Sequence, residues 1–160
     1  MTSAKSLPAI LLSVSISIVA CKHREEAPVT PQENALFISF GGSNVPLAHT
    51  KKLQITPDAS YEITTNQEGS NAIKLPDNIH DSLKQYLSSF PVAAIKADPQ
   101  VGTYSLHGAA DNSFQTFSYI QKTPADTTTI SIDTGTPVPY MNDFQKKVNQ
   151  TIINCKLLGD

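Results

Sequence analysis

The chain has 160 residues, 39% hydrophobic and 16% charged, a balance that excludes wholesale disorder and suits one folded domain. Its formal net charge is −2 and Arg24 is its sole arginine. It therefore lacks the clustered basic side chains that a nucleic-acid surface requires, and no nucleic-acid partner is expected.

In chain order, Lys5 opens a segment whose residues Leu7 to Ala20 carry no charge. The run is shorter than the ~20 apolar residues that cross a bilayer. It contains Pro8 and several serines, and it matches the apolar region of a secretory signal. It ends in Ile18-Val19-Ala20-Cys21, which resembles the lipobox of bacterial lipoproteins. A small residue before the cut fits a narrow peptidase pocket, and the cysteine thiol can carry a thioether-linked diacylglycerol. The resemblance implies a signal peptide over residues 1–20 and palmitate-type acylation of Cys21. An ordinary cleaved signal with an incidental cysteine, or an uncleaved anchor, are the alternatives. Each buried methylene contributes about 0.8 kcal/mol, so two acyl chains would hold the protein on the membrane. Lys22 stands where inner-membrane lipoproteins carry Asp, which by the same resemblance points to the outer membrane. With Cys21 acylated, Cys155 is left alone, so no internal disulfide is expected, and Cys155 reads as a small apolar residue of the last helix.

Residues 21–34 hold Lys, His, Arg, Glu, Pro28 and Pro31 without periodicity and read as a flexible tether. A single domain is expected over 35–160. Leu36, Ile38 and Phe40 alternate as in a half-buried strand, and Gly41-Gly42-Ser43-Asn44 reads as the loop after it. Leu53 and Ile55 mark a second strand over Lys51 to Thr56. Pro57-Asp58-Ala59 turns the chain into a third strand carrying Tyr61 and Ile63. Gln67 to Asn71 is polar and turn-like. Ile79, Leu83, Tyr86, Leu87 and Phe90 recur at helical spacing, which predicts a helix over Asn78 to Ser89. Asp77 or Asn78 is the expected cap, with Asp81 in the first turn and Pro91 as the stop. Val101 to His107, Phe114 to Gln121 and Thr127 to Asp133 read as a three-stranded meander, with turns at Gly108 to Asn112 and Thr123 to Asp126. After Gly135, Pro137 and Pro139, a last helix is expected. Met141, Phe144, Val148, Ile152 and Cys155 form its apolar stripe, with Lys146, Lys147 and Gln150 on its wet side. The sum is an α+β domain, an antiparallel sheet of about five to six strands with two helices packed on one face.

No motif fixes a reaction. His23, His49, His80 and His107 are scattered without ligand spacing, so no metal and no cofactor are expected, and His80 reads as a solvated surface residue. Neither a Gly-x-Ser-x-Gly elbow nor a phosphate-binding glycine loop occurs. Asp133-Thr134-Gly135-Thr136 matches the aspartic-protease triplet once only, and the chain then passes through two prolines to a helix. It reads as a strand-ending turn. No catalytic residue is expected, and the chain is read as not an enzyme.

The order of elements resembles the emfourin family of small protease inhibitors. A first strand runs into a double glycine (Ile38-Ser39-Phe40-Gly41-Gly42). A helix lies mid-chain (Ile79 to Phe90), and a tyrosine-bearing strand follows a polar loop (Asp98, then Thr103-Tyr104-Ser105-Leu106). A last strand passes through a proline turn to a C-terminal helix (Ile130 to Gly135, then Pro139 to Ile153). The resemblance covers most of Ala35 to Cys155. Ser43-Asn44-Val45 replaces the family's glycine-rich turn, and Leu106 to Lys122 is longer than in that family. The resemblance implies a domain without catalysis that binds thermolysin-like metalloproteases, with Gly41, Gly42, Ser43 and Asn44 as the contact loop. The expected function is thus that of a lipid-anchored binding module of the bacterial cell envelope, with a protein partner that a metalloprotease would fit. A small envelope enzyme and an assembly lipoprotein of a larger membrane complex are the alternatives.

Overall fold

The computed structural model describes residues 34–42, 50–66, 69–104, 113–133 and 135–159. The expectations for the signal peptide, for Cys21 and for Ser43 and Asn44 lie outside the described residues. So do those for the tether over 21–33 and the turn at 108–112.

Six strands form one antiparallel sheet: β1 (Ala35–Gly42), β2 (Thr50–Ile55), β3 (Ser60–Asn66), β4 (Gly69–Lys74), β5 (Ser113–Gln121) and β6 (Asp126–Asp133). Their spatial order is β4-β3-β2-β1-β5-β6. The helices among the described residues are α1 (Asp77–Leu83), α2 (Gln85–Ser89), α3 (Val92–Ala97) and α4 (Asn142–Asn154). The fold is α+β, as the alternating and helical patterns predict.

Strand β1 joins the two halves of the sheet. It pairs with β2 on one side, Ile38 opposite Leu53, and with β5 on the other, Ile38 opposite Phe117. Register assigns the faces. Leu36, Ile38, Leu53, Ile55, Phe117, Ile130 and Ile132 point to one face and are essentially inaccessible, because the helices cover that side. The opposite face is richer in hydroxyls, which pair across strands: Thr116 Oγ1 lies 2.8 Å from Ser131 Oγ and Ser118 Oγ 3.0 Å from Thr129 Oγ1. Hydroxyl pairs of this kind satisfy one another without needing a covering layer.

The helical layer is fastened by aromatic rings. Phe117 of β5 meets Phe144 of α4 at a centroid distance of 5.6 Å and an angle of 72°. Phe90 packs on Phe144 at 5.4 Å and stacks on Tyr119 at 5.8 Å. Edge-to-face pairs of this kind add to the area they bury. The Tyr86 hydroxyl donates to the Lys147 carbonyl at 2.9 Å and lies 2.7 Å from Thr151 Oγ1, which ties α2 to α4. Helix α4 ends in a Schellman arrangement. Leu157 N–H donates to the Ile152 carbonyl and Lys156 N–H to that of Ile153, with Lys156 at φ 52°. The reversal drives Leu157 into the core.

Several expectations are corrected. Gly41 and Gly42 do not form a loop: β1 continues through both, opposite Phe114 and Ser113. Gly41 has no positive φ. A side chain there would stand 2.6 Å from the Phe114 ring, so this glycine makes room for an aromatic rather than for a turn. Of the turn expected over Gln67 to Asn71, residues 67 and 68 lie outside the described residues and Gly69 to Asn71 belong to β4, an edge strand whose side chains are nearly all exposed and which therefore shows no alternation. The helix over Asn78 to Ser89 is α1 and α2 joined at Lys84, whose backbone stays helical (φ −58°, ψ −26°). It starts at Asp77 behind Pro76, and neither Asp77 nor Asn78 supplies a side-chain cap. Asp81 lies a turn further on and pairs with Lys84 at 2.6 Å. Pro91 ends α2 but opens α3, since proline suits the start of a helix. Residues 101–104 make turns, not a strand; the rest of that expected strand, 105–107, lies outside the described residues, and the other two strands of the expected meander form the β5–β6 hairpin. Phe40, in phase with Ile38, is 45% exposed because it lies at the end of the strand, past the core.

Phe117→Ala should be the most damaging single truncation in the sheet. Removing a fully buried ring that touches both helical segments should cost about 3–5 kcal/mol, read as a lowered denaturant midpoint with an unchanged slope.

Candidate binding site

Three polar constellations stand out among the described residues. The first is a pair that resembles a nucleophile with its base. His80, read from the sequence as solvated, is buried, and Ser60 is wholly so. His80 Nε2 lies 3.2 Å from the Pro57 carbonyl and Nδ1 lies 3.0 Å from Ser60 Oγ. A carbonyl only accepts, so Nε2 carries a proton; in the neutral ring Ser60 then donates to Nδ1. The serine has no access to a substrate. The pair closes the β2–β3 turn onto α1, and its burial satisfies both polar groups.

The second is a carboxylate between two phenols. Tyr104 and Tyr140 each donate to Asp98 Oδ2 at 2.7 Å, and Gln100 N–H donates to Oδ1 at 2.8 Å. The Tyr104 hydroxyl first, then that of Tyr140 and the Gln100 N–H, hold the Asp98 carboxyl below its ordinary range. Burial and then Asp98 push Tyr140 up, and the hydrogen bond to Asp98 does the same for Tyr104. Every acceptor position used is filled from within the chain. The cluster clamps the segment after α3 to the start of the last helix, and the Tyr104 carbonyl receives Asp133 N–H at the end of β6.

The third is open to a ligand. A hollow of about 340 Å³ lies where β1 and β5 meet α4, lined by Phe40, Gln115, Gly135, Asn142, Gln145, Lys146 and Asn149. Four of these come from α4 at spacing i, i+3, i+4, i+7, one stripe beside the helix's buried face. Gln115 faces them from β5, only 3% exposed. Three carboxamides run head to tail: Gln145 Nε2 donates to Gln115 Oε1 at 3.0 Å, and Gln115 Nε2 donates to Asn149 Oδ1 at 2.8 Å. Asn142 Oδ1 accepts from Val138 N–H at 3.2 Å. The outer ends of this array make no further hydrogen bond to a described residue: Asn149 Nδ2, Asn142 Nδ2 and Gln145 Oε1. Gly135 lines the hollow with φ +100°, a conformation that glycine alone adopts without strain.

Of the residues read from the sequence as a partner contact, Gly41 and Gly42 extend β1 immediately beyond Phe40 at this hollow, while Ser43 and Asn44 lie outside the described residues. Asp133 is the last residue of β6, and Thr136 N–H closes a turn onto its carbonyl at 3.0 Å. Its register partner is Phe114, which places it on the face away from the helices. No group of His, Cys, Asp and Glu among the described residues is arranged to hold a metal ion. Sequence reasoning missed Gln115, Asn142, Gln145 and Asn149. The available signal was the amide stripe at helical spacing in the last helix, together with a glutamine in phase with Phe117 and Tyr119.

No family model, no curated protein and no solved structure matches the chain. Of the elements behind the emfourin resemblance, the strand into Gly41-Gly42, the mid-chain helix and the last strand leading to α4 stand in the structure. Thr103 and Tyr104 lie in turns.

The Asp98 clamp gives a pH signature. Its carboxyl pKa is depressed on folding, so the stability it adds is present above the unfolded value of 3.8 and is lost as pH falls through the folded value. The two phenols are raised, so their contribution is present below 10.0 and declines above it. Thermal melts should therefore show acid and alkaline losses that are smaller in Asp98→Asn. Tyr140→Phe should cost about 1 kcal/mol at neutral pH.

Proposed function

We propose that the chain is a lipid-anchored binding module of the bacterial cell envelope, held on the membrane through Cys21 and engaging its partner at the opposite end of the domain. The observation that carries this reading is the direction of β1. At its start, Asn34 Oδ1 accepts from Lys122 N–H at 3.1 Å, so the covalent link to residues 1–33 leaves beside the β5–β6 turn. At its other end lie Phe40 and the hollow. Five residue steps of about 3.3 Å separate Ala35 from Phe40, or about 17 Å. The hollow therefore lies toward the end of β1 opposite the one that joins residues 1–33. Cys21 to Asn34 adds a reach of at most about 45 Å.

The lipobox-like Ile18-Val19-Ala20-Cys21 after an uncharged run supports the anchor, and Lys22 in place of Asp supports the outer membrane over the inner. No helix among the described residues is long and apolar enough to cross a membrane. The chemistry of the hollow supports binding over catalysis. Its polar side chains are carboxamides and one lysine, which position a ligand through donors and acceptors but supply neither a nucleophile with its base nor an acid–base pair.

Expressed in a bacterium and labelled with an alkyne fatty acid, the wild-type chain should incorporate label and fractionate with membranes. Cys21→Ser should lose both the label and the membrane association. A Cys21→Ser protein that remains membrane-bound would overturn the anchor.

A further inference from the structure

Building on the binding-module reading, we propose that the hollow between Gln115 and α4 is a saccharide site, selective for sugars that carry acetamido groups. Sugar hydroxyls both donate and accept, and a site for them needs both kinds of group held in fixed places. The three carboxamides meet that need. Gln115 is buried and uses its oxygen on Gln145 and its nitrogen on Asn149, so it fixes which end of each helical amide faces outward. That leaves an acceptor at Gln145 Oε1 and a donor at Asn149 Nδ2 one turn apart on α4. A second donor stands at Asn142 Nδ2, a turn before Gln145. Their orientation is set before a ligand arrives, which removes much of the ordering cost of binding.

An acetamido group presents an N–H and a C=O side by side, the complement of an acceptor and a donor on neighbouring helical positions. Phe40 completes the site. Its ring is 45% exposed at the rim of an otherwise polar hollow, where a sugar's C–H face or an acetyl methyl can cover it. Lys146 is exposed beside it and offers one cation to a carboxylate substituent.

Competing ligand classes fit less well. A phosphate group requires several convergent cations or N–H donors, and the hollow holds one lysine. A peptide read by strand addition needs an open sheet edge, whereas β5 pairs β1 out to Gly42 and the hollow lies on the helical face of that pair. The volume of about 340 Å³ is at the small end of ligand pockets and suits a single sugar ring of a longer chain.

The test uses the full chain, purified in detergent, with tri-N-acetylchitotriose as the probe and maltotriose as the unacetylated comparison. Isotope-labelled protein should show amide shifts confined to residues around Gln115 and α4 on addition of the acetylated trisaccharide. Phe40→Ala, at an exposed ring, should weaken the affinity by about tenfold while leaving the thermal midpoint near the wild-type value. Asn149→Ala and Gln145→Ala each leave one end of the buried Gln115 amide unpaired and should lower the midpoint; compared at a temperature where all variants stay folded, each should also weaken the affinity by about tenfold. Maltotriose binding as tightly as the acetylated sugar would overturn the acetamido selectivity. Absence of any saccharide-induced shift at millimolar concentration would overturn the site. A photocrosslinker at position 146 that instead captures a protein in the envelope would also overturn it, while leaving the binding module itself standing. Failure of the fatty-acid label in the Cys21 experiment would strike the anchor and not the sugar.

Discussion

The packing of Phe117 against Phe144 and Phe90 is the constraint on which the rest of the molecule depends. An antiparallel sheet can leave one face to water only if the other is covered, and here the cover is made of helices that are short or only moderately amphipathic. Helices α1, α2 and α3 have seven, five and six residues, too few to be stable without tertiary contacts. Their order comes from rings and buried aliphatic side chains docking on β1 and β5. The same docking fixes the rotation of α4 about its axis, because Phe144, Val148 and Ile152 must face the sheet. Once that rotation is set, Asn142, Gln145, Lys146 and Asn149 have one place to go, the border between core and solvent beside Gln115.

The central position of β1 gives the domain two unlike poles. Near its start the chain connects to residues 1–33 and is tied to the β5–β6 turn. Near its end the apolar alternation runs out at an exposed Phe40, and Gly41 lets the Phe114 ring lie across the strand on the opposite face. A strand whose last inward residue is left uncovered forms one wall of a cavity, and the α4 amide stripe forms another. The link to residues 1–33 and the hollow thus lie at opposite ends of one strand.

Much of this was legible in the sequence because the sheet is buried on one side only. Leu36–Ile38, Leu53–Ile55, Phe117–Tyr119 and Ile130–Ile132 each announce a strand, and Phe144–Val148–Ile152 announces the last helix. The illegible parts share a physical cause, namely that their conformation is set by partners distant in sequence. Strand β4 buries almost nothing, so it has no period and exists because β3 offers an edge. Val101 and Tyr104 look like strand residues, but Asp98 and Tyr140 hold that segment in turns. His80 reads as a surface residue of a helix until Ser60, twenty positions earlier, is placed beneath it. The amides of the hollow were invisible for the same reason. Asn and Gln on a helix are ordinary wet-side residues unless something buried faces them.

Gln115 is that buried partner, and its presence is not explained by stability. Its position in β5 is in phase with Phe117 and faces the helices, where an apolar side chain of similar length would pack without the desolvation of a carboxamide. The structure satisfies Gln115 by turning two α4 amides inward. That arrangement exchanges hydrogen bonds to water for hydrogen bonds of similar worth and gains little net free energy. What it gains is geometry: two surface side chains, normally free to adopt several rotamers, are held in one orientation with their remaining donor and acceptor directed outward. A buried polar residue that contributes little to the core thus fixes the orientation of half-exposed amides on α4, and it does so beside Phe40, toward the end of β1 opposite Asn34.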